Sequence, residues 1–444
     1  LAMVATDRGS ARAALPGRAR GRGERPTVSH ETSTDYRHPY RPRLLRAVNE
    51  AARLLPSVVT FAAPLGEESL LPAARGRPAV QDLGGRAFRE PLRRLVAAIE
   101  DEARLHPLGR LITRVRLVST LATRLRLEQM LRTEPSIREE RLTRPIVIVG
   151  LPRTGTTFLH RLLASDSTRI RALMSWEALM PVPLEGEVEP KKRIVAAQRS
   201  ERALRYMAPD FFAVHPIDAV GPEEDILLLD LAFRSTVPEA TMHVPSFAAW
   251  LEQADQGPAY RQMAIALKAL QRQRRPPGEA WRWVLKTPHH LEWLDELPKV
   301  LEDPLVVWTH RAPREVVASF CSMIAHGRGV FSDEVDPHEI GRSWLRKGKR
   351  MVERAMDARS RWDRDDFVDV RYQDLIADPV AVVRRIQERA GLPWTQEGAN
   401  ALGRSLRRET KDRHGKHRYS LEAFGLDPAA VDEAFAIYDK NMLG

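Results

Sequence analysis

Residues 146–163, "IVIVGLPRTGTTFLHRLL", run from a β-branched apolar segment through a turn holding two glycines into an amphipathic segment. A short apolar run bounded by turn residues reads as a buried strand, and apolar spacings of three and four after it read as a helix. Gly150 and Gly155 have the separation found in the phosphate-cradling pattern G-x-x-x-x-G-K-[ST], but Thr156 stands where that pattern has lysine. This junction commits the chain to a strand whose end opens onto a helix N-terminus, a place suited to an anion.

Past Arg144 the same grammar repeats, with "PIVIVG", "WRWVLKTPHH", "PLVVWTHRAP" and "FVDVRYQDL" each followed by polar residues and a helical pattern. The alternation predicts an α/β fold, a mostly parallel sheet with helices on both faces. Ligands of such sheets collect at the carboxyl ends of the strands, where the loop, Lys286 and Arg311 all fall. Residues 170–280, largely helical in pattern, read as an insert able to build an acceptor pocket within a domain of residues 144–444. Before it, "REPLRRLVAAIEDEARL" and "RLITRVRLVSTLATRLRLEQMLRT" give a helical preface over 43–143, with Pro107 expected to divide two helices. Residues 1–42 are Arg-rich and without apolar periodicity at their start, and are expected to form a disordered tail.

Composition narrows the function classes. The 444 residues carry 70 Lys and Arg against 59 Asp and Glu, a net +11. That excess suits an anionic ligand, while the absence of a groove-reading motif or aromatic-basic platform argues against nucleic acid. No apolar run approaches the roughly 18 residues that cross a bilayer, so no transmembrane segment is expected. The single cysteine, Cys321, excludes an internal disulfide and a multi-cysteine zinc site, and fits a cytoplasmic location.

The loop has its own chemistry. Gly150 and Gly155 permit a tight turn with amides pointing at an anion, and the helix starting near Thr156 aims its positive end at the same spot. Thr154, Thr156 and Thr157 add hydroxyls, and the planar fork of Arg153 can hold two oxygens of a phosphate or sulfonate. An ordinary strand-to-helix turn would use the same residues. Against an ATP- or GTP-hydrolysing enzyme stand the missing lysine and the missing magnesium-binding acid, because the strands able to carry it end in Lys286 and in Thr309-His310. A P-loop kinase and a non-catalytic nucleotide-binding module remain the alternatives to a transferase whose donor needs no metal.

"GLPRTGTTFLHRLL" resembles the 5′-phosphosulfate loop of sulfotransferases that use 3′-phosphoadenosine 5′-phosphosulfate (PAPS), in the variant with arginine where cytosolic members have lysine. "VVWTHRAPREVVASF" resembles their 3′-phosphate motif, with Arg311 at a strand end and Ser319 on the next helix. "LKTPHHL", "VRYQDLIADP" and "HRYSLEAFGLD" follow the order of the bacterial branch, so the resemblance runs from roughly residue 80 to the end. It implies a P-loop NTPase-like three-layer fold, PAPS as donor, 3′-phosphoadenosine 5′-phosphate (PAP) as product and no metal. The acceptor would be the hydroxyl or amine of a small molecule, lipid or glycan.

By the same resemblance the nucleotide is held by Arg153, Thr154, Gly155, Thr156, Thr157, Arg311 and Ser319, and by His417, Arg418 and Tyr419 of a late covering segment. Lys286 would neutralise charge on the departing oxygen, beside Arg153. Glu177, in "MSWEALMPVP", matches the family's glutamate base in position, with Trp176 able to dry it and raise its pKa. His215 is its rival, since an imidazole is poised near neutral pH. Glu223, Glu224 and Asp225 read first as acids stabilising the start of the helix "ILLLDLAF", and His289 and His290 as capping or packing residues. Ala312 replaces the aspartate that the family often places before this proline, and removes a helix cap.

Overall fold

The computed structural model describes residues 32–75, 87–274, 281–409 and 419–444. Among the described residues five strands form one sheet: β1 Ile146–Val149, β2 Ile170–Ala172, β3 Arg282–Lys286, β4 Leu305–His310 and β5 Phe367–Arg371, in the order β2-β3-β1-β4-β5. Every pairing is parallel. The four strands expected from the sequence are present. β2 is an addition, lying inside the stretch read as a helical insert. It spans three residues with a charged one, Arg171, in the middle, too short and too mixed for a strand pattern to register.

The residues of β1 have no exposed surface, because they are covered on both faces. Ile146 and Ile148 point to one side, where Leu159, Leu162 and Leu163 of helix Thr156–Ala164 and Val383 and Ile386 of helix Pro379–Arg389 pack on them. Val147 and Val149 point to the other, into a larger core shared with Trp308, Leu285 and the helices over 257–273, 313–329 and 337–359. The period of two along the strand thus divides the molecule into three layers, helix over sheet over helix. In register, Ile148 lies opposite Lys286 and Val149 opposite Trp308, so the loop after β1 opens beside the ends of β3 and β4.

Helices Arg89–Glu102 and Pro107–Thr133 are divided where Pro107 was expected to divide them. Proline sits at the first helical position, where no amide hydrogen is needed, and the His106 ring accepts a hydrogen bond from Gly109 N at 2.8 Å. The expected tail boundary at residue 42 falls too late. Tyr36 is buried, with its hydroxyl 3.1 Å from Ser322 Oγ, and Arg41 reaches Asp333 at 2.7 Å. Residues 1–31 lie outside the described residues. Among those described, no helix is long and apolar enough to cross a membrane.

Candidate active site

The loop after β1 is locked from beneath. Thr154 Oγ1 lies 2.6 Å from the Leu151 carbonyl and 2.7 Å from Thr309 Oγ1, which in turn lies 3.2 Å from the Val149 carbonyl. Gly150 takes φ +153°, and a Cβ there would stand 2.2 Å from Thr309 Oγ1 and 2.8 Å from the Thr309 carbonyl oxygen. Only glycine lets the two strand ends approach this closely. Thr154 was expected among the phosphate donors; the structure commits its hydroxyl to this brace instead.

Gly155, at φ +92°, is the N-cap of helix Thr156–Ala164 and provides no side-chain cap for the first helical amides. Arg153 also adopts a positive φ, +74°, uncommon for a residue with a Cβ. Its side chain is exposed, yet lost hydration and the like charge of Arg311 lower its pKa, while Tyr419 and Tyr372 oppose the shift.

Two further cations meet this loop from neighbouring strands. Lys286, the last residue of β3, is buried and donates to Glu224 Oε1 at 2.5 Å and to Thr157 Oγ1 at 3.3 Å. Arg311 follows β4 directly and donates from Nη1 to the Arg153 carbonyl at 3.2 Å, and from Nε to Glu315 at 2.9 Å. Its guanidinium lies 4.2 Å from the centre of the Tyr372 ring. Ser319 is buried within helix Pro313–Gly329. That helix has no side-chain cap at Ala312, as its sequence implied. Tyr419 is half-exposed, and His417 and Arg418 lie outside the described residues.

The end of β3 is held by a buried chain. Asp225 accepts from Lys286 N at 3.0 Å and pairs with His290 Nε2 at 2.7 Å, and His290 Nδ1 meets the Tyr260 hydroxyl at 2.8 Å. Burial alone would raise the Asp225 pKa; the His290 ring and the Lys286 amide outweigh it and hold the carboxyl below its ordinary value. Asp225 stands at the N-cap of helix Ile226–Leu229, as its sequence position implied, but its carboxylate gives no cap bond and is spent on the end of β3 and on His290. His215 belongs to the same neighbourhood. Desolvation pulls its pKa below 6.5, Glu223 and Glu224 oppose that, and Lys286 and Arg153 reinforce it.

Glu177 is committed elsewhere. Both its oxygens accept from the Arg171 guanidinium, at 2.6 and 2.9 Å, and one also accepts from Met174 N at 3.0 Å. The pair is buried, and Arg171 also lies 4.7 Å from the Trp283 ring centre. The Arg193 guanidinium lies 4.9 Å from the Trp176 ring centre.

The match with known proteins follows this geometry. Residues 145–396, from the strand before the loop to beyond β5, match the model of the sulfotransferase family. The chain belongs to the sulfotransferase family. It is similar to the sulfotransferase STF1 from Mycobacterium tuberculosis H37Rv, at 31% identity over 84% of this chain and 98% of that one, with a TM-score of 0.69. It is also similar to the sulfotransferase STF9 from Mycobacterium avium, at 26% identity over 85% and 96% of the two chains, with a TM-score of 0.75. No curated protein matches it.

In this sulfotransferase a groove of about 740 Å³ runs along the later turns of the loop helix, at Arg161, Ala164 and Ser165, rather than over the loop itself. Pro216, Ile217, Gly221 and Pro222 form one wall, and they belong to the segment whose two ends carry His215 and the pair Glu223-Glu224. Among the described residues no cluster of three or more His, Cys, Asp or Glu is suited to a metal. Sequence reasoning missed Tyr372 beneath Arg311, Thr309 beneath the loop and the Lys286–Glu224 pair. Tyr372 carried a signal, since "VRYQDL" puts it just past a strand end, as Lys286 and Arg311 are at theirs.

Proposed function

We propose that this sulfotransferase takes its sulfuryl group from PAPS and passes it to a hydroxyl or amine of an acceptor lying in the groove beside the loop helix. The observation that carries the reading is the contact of Arg311 Nη1 with the Arg153 carbonyl. It sets Arg311 against the loop after β1, which supports a reading in which two anion sites share one crevice. The residues suit the donor: three cations and a helix N-terminus without a side-chain cap.

When bound, the donor supplies a sulfuryl group on a phosphate leaving group. Arg153, Thr156, Thr157 and the first helical amides hold the 5′ end, and Arg311 with Ser319 holds the 3′-phosphate. Lys286 keeps positive charge at the mouth of the loop, where the departing phosphate gains negative charge. Glu224 balances that lysine between turnovers. A ring nitrogen of His215, kept neutral by desolvation, takes the acceptor proton, and Glu223 and Glu224 stabilise the imidazolium formed. Glu177, held by Arg171, is given no proton to move.

Release of PAP from PAPS in the presence of a panel of hydroxyl acceptors tests this reading. PAP is expected to accumulate without ATP or added magnesium, and His215→Ala is expected to lower the rate by about 10²–10⁴-fold. Turnover that requires ATP and magnesium and leaves PAPS untouched would overturn it.

A further inference from the structure

Helices Arg43–Arg53 and Pro56–Ala62 lie on the surface with one buried residue between them, Asn49. Their apolar side chains face outward: Leu54 is 82% exposed and Phe61 88%, with Leu44, Val48, Leu55 and Val58 each half exposed or more. With 3.6 residues per turn, Leu44, Ala47, Val48 and Ala51 share one arc of the first helix. Arg43, Arg46, Glu50 and Arg53 occupy the far arc, and Leu45, Asn49 and Ala52 turn toward the body.

The segment is fixed in place rather than frayed. Asn49 Oδ1 accepts from Leu108 N at 3.1 Å, and Arg110 Nε donates to the Ala63 carbonyl at 2.9 Å. Leu111 and Val115, on the helix that it leans against, are exposed as well. Apolar surface of this extent held in water is unfavourable and marks an interaction face. Neither Arg43 nor Arg46 has a carboxylate partner among the described residues, while Arg53 pairs with Glu50 and Asp333. The preceding residues 1–31 add six arginines against three acids.

We propose that residues 43–62 dock flat on an anionic phospholipid surface, with Leu44, Val48, Leu54, Leu55, Val58 and Phe61 in the acyl boundary and the guanidiniums among the headgroup phosphates. A second copy of the chain would cover the apolar stripe but leave the arginines facing arginines. Anionic headgroups satisfy both arcs at once, through apolar burial and charge attraction. The docking stands on this face alone and does not depend on the donor assigned above.

Flotation of the full chain with vesicles of phosphatidylcholine alone, or of equal parts phosphatidylcholine and phosphatidylglycerol, tests it. Binding is expected to the mixed vesicles, at least fivefold stronger than to the neutral ones. Leu54→Asp with Phe61→Asp, and separately Arg43→Glu with Arg46→Glu, are each expected to lower it at least tenfold. Both pairs are surface positions, so circular dichroism and PAP binding should stay as in the native chain. Failure of the native chain to float with the mixed vesicles, equal binding to neutral ones, or full binding by either double variant would overturn the proposal. So would a dimer in sedimentation that the Leu54-Phe61 variant breaks without any vesicle binding, which would make this face a self-interface.

Discussion

The base proposed at His215 shows how neighbours tune a side chain. An imidazole must be neutral to accept a proton, and desolvation here lowers its pKa, so the neutral form persists to more acidic pH than for a free histidine. As pH falls, the rate is lost only on passing through this lowered pKa. The acid limb of kcat/KM for PAPS-dependent transfer is therefore expected below the usual imidazole value of about 6.5. A limb at or above that value would remove His215 from the role of base. Glu177 makes the opposite case. Deleting one member of a buried ion pair strands the other, so Glu177→Ala is expected to cost about 3–5 kcal/mol in denaturant unfolding by leaving Arg171 uncompensated. The pH profile of the remaining activity should keep its shape. A shifted acid limb with unchanged stability would restore Glu177 as the base.

At the scale of elements, the junction of β1 with its helix depends on a partner strand. The brace from Thr154 to Thr309 ties the loop to the end of β4, and Gly150 is what lets them meet. Gly150→Ala places a methyl group against both the Thr309 hydroxyl and its carbonyl at a backbone angle unfavourable for alanine. It is expected to destabilise the protein by about 3 kcal/mol and to abolish nucleotide binding in calorimetry. Unaltered binding would mean that the loop does not need this contact. The loop, its helix and four strands were legible because each is a long or strongly apolar pattern. β2 was not, having three residues, and the brace was not, because two threonines 155 positions apart carry no local signature.

Across the whole molecule, strand order does the work that spacing along the chain cannot. With β1 between β3 and β4, Lys286 and Arg311 reach the loop from opposite sides although 25 residues separate them from each other and far more from Thr157. Their placement at strand ends could be read from the alternation of strand and helix, and the family from the two spaced motifs. Which acid or base faces the crevice could not, because that depends on pairings such as Arg171 with Glu177 and Lys286 with Glu224, formed between segments whose relative position only the fold determines. The convergence of the two anchors is tested most directly by calorimetric titration with PAP and with AMP, which differ by the 3′-phosphate, on the native chain and on Arg311→Ala. PAP is expected to bind at least a hundredfold tighter than AMP, and the substitution to remove most of that difference, about 2–3 kcal/mol. Equal affinities for the two nucleotides, or a preference for PAP that survives the loss of Arg311, would contradict the account.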